Sequence, residues 1–566
     1  MEISGSFICR ALLFTGVLFY FTFLLLTSNR YGCPSQDAVV SPLLRPATSV
    51  SGNDNGDEAI ANDNIDRQKP TLVATNEKDV AVASDGDKSV VSEIDKNITA
   101  ADGVGVSSGR NDVDVGVGVD LSVDRDKKSV VDSEKKGDGG GGGGGGSSAA
   151  VEVRSPTQLK HVVFGIVGSE KAWHQRKVYI ESWWRPNATR GYLFLDTKPS
   201  EALMPWSPAS PPYKVSADLK KFLNKPDVTP QRIANGIREV FNAEHEDIRW
   251  LVMGDDDSII FLDNMIELLN KYDHTKYYYL GARSEFVLSN FLFSFAQGFG
   301  GASFVLSYPL AKALAKDMDR CLLKYGYLIA ADQTAMSCIA DLGISLTEHP
   351  GFHQIDLRGD LSGFLSSHPN APLISLHHFD MLDPIFPNMD RYESTRHLMK
   401  AAEADQPRML QQTVCYYHKY NWTFSISWGY SVHIYERIMP RSILQYPIET
   451  FRQWLPAPGP PFYMFNTRLP SQDPCEAPHV FYFQAVEKSP QSNVTNTNYA
   501  RSAPRGMPAC AFFGNHSADF VTKIRVYSPA NKRKEVERSE CCDVIGLSGN
   551  RAKIKYRECR NDDVLI

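Results

Sequence analysis

The sequence predicts an α/β protein with a doubly wound, mainly parallel sheet, followed by a β-rich C-terminal extension that contains disulfide bonds. Two observations predict this fold class. After residue 151, short apolar runs alternate with amphipathic segments, which is the pattern of parallel βα units. Beyond residue 407 the alternation stops, and six of the ten cysteines lie in that last part of the chain.

Four apolar runs are typical of strands, and they occupy residues 161–168, 192–196, 250–253 and 277–280. The segments between them predict helices at residues 173–184, 231–244 and 262–271. In the second helix, Ile233, Ile237 and Val240 recur at helical spacing and form one apolar face. Because ligands of such sheets bind at the carboxyl ends of the strands, we expect the functional residues there.

The first residues of the chain predict a membrane anchor. Residues 7–27 are almost entirely apolar and reach the ~20 residues that cross a hydrocarbon core. We therefore predict a cytosolic tip and a transmembrane signal anchor within residues 1–30. A cleaved signal peptide is the alternative, but residues 27–30 offer no small-x-small cleavage site.

Residues 31–150 predict a disordered, acidic stem. They hold 21 Asp or Glu against 12 Lys or Arg, and residues 32–150 contain no Phe, Trp or Tyr. Such a composition buries too little apolar area to offset the chain entropy that folding removes. The unbroken glycine run at 139–146 is a flexible tether. The predicted α/β domain then occupies residues 151–406, and the extension occupies residues 407–566.

The cysteines and glycosylation signals predict an oxidising secretory compartment. Eight cysteines follow residue 151 without a CxxC pair, which favours disulfides over a zinc ribbon and leaves their pairing open. Five Asn-x-Ser/Thr acceptors are present, at Asn97, Asn187, Asn421, Asn493 and Asn515. With the anchor, these features predict a single-pass type II protein with a lumenal C-terminal part. A formal net charge of −6 argues against a nucleic-acid partner.

The strongest candidate for chemistry is Gly254-Asp255-Asp256-Asp257, directly after the strand predicted at 250–253. Three adjacent carboxylates repel one another unless a cation neutralises them, and a hard divalent ion is the usual partner. Alternate residues of an extended chain face opposite ways, so Asp255 and Asp257 share a side and Asp256 points elsewhere. An acidic surface turn is the alternative interpretation.

A glycine-rich segment and a carboxylate follow this triplet. The segment at residues 298–302 contains Gly300 and Gly301, which either let the backbone approach a ligand closely or only form a turn. Asp332 lies at the start of a helix that reaches Ala340. The residues alone slightly favour Asp332 as a cap of this helix, and the functional alternative is a general base.

Histidines later in the chain are candidate metal ligands. His353 suits Mn²⁺ beside carboxylates, and the segment of His377, His378 and Asp380 is a rival site. For each, the alternative is a histidine that only satisfies hydrogen bonds. Trp173 and Phe299 are expected either to stack on a sugar or to belong to the core.

The order of these motifs resembles the Fringe glycosyltransferases, and most closely the plant Fringe-related proteins. The similarity covers about residues 162–376. It includes Gly-Ile-Val, Arg176, Trp183-Trp184, Tyr-Leu-Phe-Leu-Asp and Trp-Leu-Val-Met-Gly-Asp-Asp-Asp. Gly-Phe-Gly-Gly-Ala, the Asp332-Gln-Thr segment and Phe-His353 follow in the same order. The succession of motifs is specific, although each motif alone is not.

The resemblance implies a GT-A-like fold and an inverting β-1,3 transfer from a UDP-sugar to a glycan or glycoconjugate acceptor. It also implies Mn²⁺ as cofactor and a location in the Golgi membrane. Carried over, Asp257 would be the main metal ligand with Asp255 and His353, and Asp332 would be the base. The substrate-binding residues would be Asp196, Asp255, Asp256, Gly300 and Gly301.

One departure from the Fringe pattern supports a second hypothesis. Ala331 stands where Fringe proteins have the first Asp of an Asp-Asp pair. A catalytically silent, Fringe-fold carbohydrate-binding or scaffold protein is therefore the alternative to a transferase. A metal-dependent nucleotide-sugar hydrolase is a third hypothesis.

Overall fold

The computed structural model describes residues 155–563, apart from 245, 490, 492, 511–516, 531–537 and 562. The anchor predicted at residues 7–27 and the stem predicted at residues 31–150 lie outside the described residues. Within the described part, each helix is too short or too polar to cross a bilayer.

The strands, numbered in chain order, are β1 Val162–Val167, β2 Arg190–Leu195, β3 Tyr213–Val215, β4 Trp250–Asp255, β5 Ile259–Ile260, β6 Tyr279–Gly281, β7 Phe304–Ser307, β8 Leu346–Glu348, β9 Phe352–His353, β10 Leu357–Gly359, β11 Ser375–Leu376, β12 Gln412–Tyr417, β13 Trp422–Ser427, β14 Ser431–Tyr435, β15 Phe451–Gln453, β16 His479–Ser489, β17 Val494–Arg501, β18 Lys523–Pro529, β19 Cys541–Ser548 and β20 Arg551–Arg557. The α-helices are α1 Glu170–Glu181, α2 Lys220–Leu223, α3 Thr229–Ala243, α4 Leu262–Leu269, α5 Val287–Leu292, α6 Tyr308–Tyr325, α7 Ala331–Ala340, α8 Ser362–Ser367, α9 Arg391–Ala404 and α10 Arg441–Leu444.

Seven strands form the first sheet, in the order β3-β2-β1-β4-β7-β6-β8. The strands from β3 to β4 are parallel, and so are β6 and β8. β7 runs antiparallel to both of its neighbours. The predicted α/β fold with a mainly parallel sheet is therefore confirmed, and β7 is an antiparallel strand that the alternation of apolar runs did not indicate.

The two faces of β1 pack against different layers. Phe164 belongs to one apolar cluster, together with Trp183 and Trp184 just after α1. Val163 belongs to a second cluster, together with Ile237 of α3. A strand covered on both faces must be apolar throughout, and every residue of β1 is buried. Each fully buried large apolar side chain contributes about 1.5–3 kcal/mol to stability, so this strand is a rigid base for the loops beyond it.

Eight strands form a second sheet after residue 411, in the order β12-β13-β14-β16-β17-β18-β20-β19. The disulfide Cys415–Cys542 joins the two edge strands, β12 and β19, with Cα atoms 5.5 Å apart. The sheet therefore curls until its edges meet. The other disulfides among the described residues are Cys321–Cys338, Cys475–Cys510 and Cys541–Cys559. The β-rich, disulfide-containing extension is thus confirmed.

Short strands connect the extension to the first sheet. β10 pairs with β15 of the extension, and the Met464 amide donates to the carbonyl oxygen of Glu285 at 2.8 Å. β11 lies between β5 and β9, with Leu376 beside His353. The residue after β11 is His377, which contacts Asp257 just beyond β4. These strands therefore bring distant segments to the carboxyl end of β4.

Candidate active site

The acidic triplet stands at the end of β4, and its side chains alternate as an extended chain predicts. Asp255 Oδ2 and Asp257 Oδ1 lie 4.0 and 3.1 Å from His377 Nε2. Asp256 points the other way, toward Arg176. Asp257 is fully buried, whereas Asp255 keeps 30% of its side chain exposed. Asp255 is therefore the member of the triplet that a ligand can reach.

Asp256 is held behind the site. Its Oδ1 accepts a hydrogen bond from Arg176 at 2.8 Å, and its Oδ2 accepts the backbone amide of Ser169 at 3.2 Å. Burial raises the pKa of Asp256 to about 6, against the opposing charge of Arg176. Both oxygens of Asp256 already accept a hydrogen bond, and a contact between Asp256 and a donor stays a prediction.

Arg176 of α1 balances three carboxylates. Its guanidinium lies 2.8 Å from Asp256 and 3.5 Å from Asp257, and it also contacts Asp380. Burial acts to lower the pKa of Arg176, but the three carboxylates outweigh it and raise that pKa. Burial likewise acts to raise the pKa of Asp257, but Arg176 and His377 hold it well below its usual range. Asp257 is therefore an anion at neutral pH, as a metal ligand must be.

His377, and not His353, completes the acidic group. One donor atom from each of Asp255, Asp257 and His377 lies within 4.8 Å of the other two. His353 lies instead against Glu285, with 2.7 Å between Nδ1 and Oε1. The expectation that His353 shares a metal with Asp257 is therefore wrong. The reason is the parallel pairing of β9 with β11, in which His353 is the partner of Leu376. Because successive residues of a strand face opposite ways, this register gives the side toward Asp257 to His377 and not to His353.

The donor set fits a divalent cation. Asp257 Oδ2 is buried, and its nearest partner within the described residues is the Arg176 guanidinium at 3.5 Å, too far for a good hydrogen bond. Such an oxygen is costly to bury unless another group binds it. Two carboxylates and an imidazole suit Mn²⁺ among the divalent metals. The predicted metal site is therefore chemically reasonable with His377 in place of His353.

Each glycine of the predicted pair makes room for one functional side chain. A β-carbon on Gly300 would lie 2.5 Å from Asp332 Oδ1, and a β-carbon on Gly301 would lie 2.0 Å from His377 Cε1. Either contact would force a group of the site to move. The Gly300 amide also donates to Asp332 Oδ1 at 2.9 Å. The two glycines thus shape the site by their missing side chains.

Asp332 lies in the first turn of α7 but does not cap the helix. The N-cap is Ala330, without a side-chain capping bond, so the expectation of a cap is wrong. Burial raises the pKa of Asp332 to about 7, opposed by the Gly300 amide and supported by Asp356. After burial, Asp332 is the main cause that raises the pKa of Asp255. A carboxyl group that titrates near neutrality suits a general base.

Asp196 and Arg232 lie on the other side of the triplet. Asp196 is exposed just after β2, and its Oδ1 accepts the backbone amide of Glu170 at 2.8 Å. Arg232 of α3 donates to the carbonyl oxygen of Phe194 at 3.1 Å. Burial lowers the pKa of Arg232, and Asp196 and Asp255 are among the carboxylates that oppose this shift. A guanidinium therefore stands next to the acidic group.

The extension contributes one wall of the site. His378 stacks on His377 with ring centroids 3.8 Å apart, and the Trp454 indole stacks on His378 at 4.4 Å. The Arg358 guanidinium lies 4.3 Å from the indole centroid. His378 Nδ1 is 3.0 Å from Asp356 Oδ1. Burial acts to lower the pKa of His378, but Asp356 outweighs it and raises that pKa.

The sequence signalled some of the residues around this site and not others. Arg176 stood out only as part of the family resemblance, and Arg232 and Trp454 had no signal, because isolated residues of these types are common in any domain. Trp173 and Phe299 are 1% and 3% exposed, so both belong to the core and neither is a sugar platform.

Two parts of the chain match known protein families. Residues 157–361 match the family described as Fringe-like, and residues 289–542 match the family described as Protein of unknown function, DUF604. Two relatives are beta-1,3-glucosyltransferases, from Mus musculus and from Homo sapiens, which are 31% and 30% identical over 118 residues. Each match covers 21% of this chain and 23% of the relative, so it spans about a quarter of the relatives' length.

Two solved structures are also similar. The glycosyltransferase GlyE of Streptococcus pneumoniae TIGR4 is 15% identical, with a TM-score of 0.22 over 33% of this chain and 44% of that chain. Mouse xyloside xylosyltransferase 1 is 13% identical, with a TM-score of 0.20 over 36% of this chain and 85% of that chain.

The Fringe-like match includes the acidic triplet, the glycine pair and Asp332. The closer relationship to plant Fringe-related proteins stays a prediction. Residues 157–361 of the chain are therefore similar to the Fringe-like family, and a 118-residue part of the chain is similar to beta-1,3-glucosyltransferases.

Proposed function

We propose that this protein is an inverting glycosyltransferase that moves a sugar from a UDP-sugar to a hydroxyl group of a glycan or glycoconjugate. One observation carries the proposal: the adjacent glycines Gly300 and Gly301 lie against Asp332 and His377, which sets the donor group of His377 next to a candidate base. The raised pKa of Asp332, about 7, agrees with that role. In an inverting transfer a base activates the acceptor hydroxyl, and a cation at the diphosphate can stabilise the leaving group. The names of the two mammalian relatives support a β-1,3 linkage.

Asp255, Asp257 and His377 are the residues that would hold Mn²⁺. When bound, the cation supplies positive charge to the diphosphate and helps it to leave. Arg176 keeps the buried Asp257 ionised, and the partly exposed Asp255 would face the donor. Arg232 donates to the carbonyl oxygens of Gly168 and Phe194, near the ends of β1 and β2, and would contact the nucleotide together with Asp196.

Asp332 is the base of the proposed reaction. It takes the proton of the acceptor hydroxyl, and the oxygen forms a bond to the anomeric carbon from the face opposite the leaving group. The bond between that carbon and the diphosphate oxygen breaks, and UDP leaves with the electron pair. The Gly300 amide holds the Asp332 carboxylate in position. Because the attack is direct, the configuration inverts and no covalent enzyme intermediate forms.

The proposal includes a GT-A-like form of the first sheet and a type II location in the Golgi membrane. The four disulfides support an oxidising compartment. Asn187, in one of the Asn-x-Ser/Thr sequences, is exposed, as its own N-glycosylation requires. Protease protection of a C-terminal epitope on the full chain in microsomes, with loss of mass after endoglycosidase, tests this part. Digestion of the epitope in intact microsomes would contradict it.

The test of the activity uses the full chain, a panel of UDP-sugars, Mn²⁺ and a panel of glycan acceptors. We expect transfer from one donor. Asp257→Asn should lose binding of UDP with Mn²⁺ and also transfer. Asp332→Asn should keep that binding and lose transfer by about 10²- to 10⁴-fold. Asp263→Asn, at a side chain that pairs with Arg185 on the surface, is the matched control and should retain both.

The same assay distinguishes the other hypotheses. Glycan binding without turnover of any donor would favour the silent carbohydrate-binding or scaffold protein, which Ala331 supports. Release of free sugar without an acceptor would favour the hydrolase. Either result would contradict the transferase.

A further inference from the structure

Two arginines stand side by side at the edge of the candidate active site. β10 and β15 pair in antiparallel register, and this pairing sets Arg358 directly opposite Arg452. Leu357 and Phe451 are buried, whereas Arg358 is half-buried and Arg452 is exposed. Because successive residues of a strand face opposite ways, both arginines belong to the side of this strand pair that solvent reaches. Two like charges directly across a strand pair are destabilising unless an anion neutralises them.

The Arg358 guanidinium is held in position and still has donors for a ligand. Its Nε donates to the carbonyl oxygen of Trp454 at 2.8 Å, and its central carbon lies 4.3 Å from the indole centroid. Within the described residues, neither Arg358 nor Arg452 forms an ion pair with a carboxylate. A β-carbon on Gly359 would lie 3.6 Å from Arg452 Nε and 3.9 Å from Asp383 Oδ2, so Asp383 is nearby without pairing. The two guanidinium groups are therefore available to an anion from outside the chain.

Trp454 connects this arginine pair to the candidate metal ligands. Its indole stacks on His378 with ring centroids 4.4 Å apart, and His378 stacks on His377 at 3.8 Å. The nucleotide is proposed near the ends of β1 and β2, on the other side of the acidic triplet. An anion at the two arginines would therefore come from a sugar and not from the nucleotide.

We propose that Arg358 and Arg452 bind a carboxylate of the glycan acceptor, so that this acceptor contains uronic acid. A guanidinium is planar, and its parallel N–H groups match the two oxygens of a carboxylate. Trp454 acts by positioning Arg358, through the contact with the indole and the bond to the carbonyl oxygen. This inference rests on the proposed function, because it names the chemical class of the acceptor.

The carboxylate is assigned to the acceptor and not to the sugar that is transferred. The transferred sugar stays bonded to the diphosphate until the reaction, and the diphosphate is proposed beside His377. Arg358 is connected to His377 only through Trp454 and His378. A group that lies beyond the transferred sugar therefore suits the arginine pair better than a group on that sugar.

The test measures binding of two probes to the full chain by titration calorimetry, without a donor. The probes are a tetramer of galacturonic acid and its methyl ester, in which the carboxylates are neutral. We expect the wild type to bind the acid at least about tenfold more tightly than the ester. Arg452→Gln, at an exposed side chain, should remove most of this preference, and so should Arg358→Gln. Arg320→Gln, at an exposed arginine of α6, is the matched control and should retain it.

Three results would overturn the proposal. The first is equal affinity of the wild type for the acid and the ester, and the second is a preference that survives in Arg452→Gln and in Arg358→Gln. A further arm compares UDP-glucose with UDP-glucuronic acid in the presence of Mn²⁺. A preference for the acidic donor that Arg452→Gln removes is the third, because the carboxylate would then belong to the donor.

The binding measurement needs no transfer of sugar, so the two proposals fail separately. A chain that prefers the acid tetramer but transfers no sugar would contradict only the proposed transferase. A transferase that binds the acid and the ester equally would contradict only the role of the arginine pair.

Discussion

Gly301 and His377 compete for one volume, because a β-carbon on Gly301 would lie 2.0 Å from Cε1 and 2.2 Å from Nδ1 of the imidazole. The imidazole reaches Asp257 only since residue 301 has no side chain. Ser258, just after the triplet, donates its hydroxyl to the Gly301 carbonyl oxygen at 2.7 Å. The glycine segment and the triplet therefore fix each other's position.

Gly301→Ala should weaken Mn²⁺ binding at least tenfold, because the new methyl group displaces His377. Titration calorimetry of the full chain with Mn²⁺ measures this change. Gly281→Ala is the matched control, since its β-carbon meets nothing closer than 3.4 Å. Equal affinities of the two variants would show that His377 is not a ligand.

Arg176→Leu should destabilise the metal-free protein by about 3–5 kcal/mol, because it leaves buried carboxylates without the positive charge of the guanidinium. Urea unfolding measures the loss, and added Mn²⁺ should recover part of it by neutralising Asp257. Arg185→Leu removes an ion pair whose partners are 44% and 56% exposed, and it should cost less than about 1 kcal/mol. A loss of similar size in both variants would contradict the balancing role of Arg176.

Asp332→Asn should stabilise the metal-free protein at pH 8. The pKa of Asp332 rises from 3.8 to about 7 on folding. The contribution of the protonated carboxyl to the free energy of unfolding is therefore complete below pH 3.8 and is lost as the pH rises through about 7. The asparagine does not titrate and should gain about 1–3 kcal/mol over wild type at pH 8, with little difference at pH 4. Urea unfolding in EDTA at both pH values is the measurement. An asparagine variant that is less stable than wild type at pH 8 would contradict the raised pKa.

Removal of the Cys415–Cys542 disulfide should cost more than removal of Cys321–Cys338. The two bonds close loops with sequence separations of 127 and 17 residues, which correspond to about 5 and about 3 kcal/mol of denatured-state entropy. Paired Cys→Ser variants compared by thermal unfolding test the order. The reverse order would show that the closed edge of the second sheet is held by other contacts.

The sequence was informative where a residue acts with its neighbours in the chain. The apolar run of β1 and the alternation of Asp255 with Asp257 follow from local periodicity, and both are found in the structure. The residues alone did not separate His353 from the rival His377, and the family resemblance selected His353; the choice depends on the pairing of β9 with β11.

Long-range partners gave no local signal. The antiparallel direction of β7 depends on connections that no short window contains. Trp454 reaches His378 only through the pairing of β10 with β15, between segments about 90 residues apart. The local sequence around Trp454 is that of an ordinary proline-rich loop.

The stacking of Trp454 on His378 has a consequence for how this architecture can change over time. The boundary predicted at residue 406 separates the indole from the imidazole that it covers. The two halves are therefore not interchangeable modules. A recombination event at that boundary would transfer His378 without Trp454, and only a partner sequence with a matching aromatic residue would restore the stacked pair.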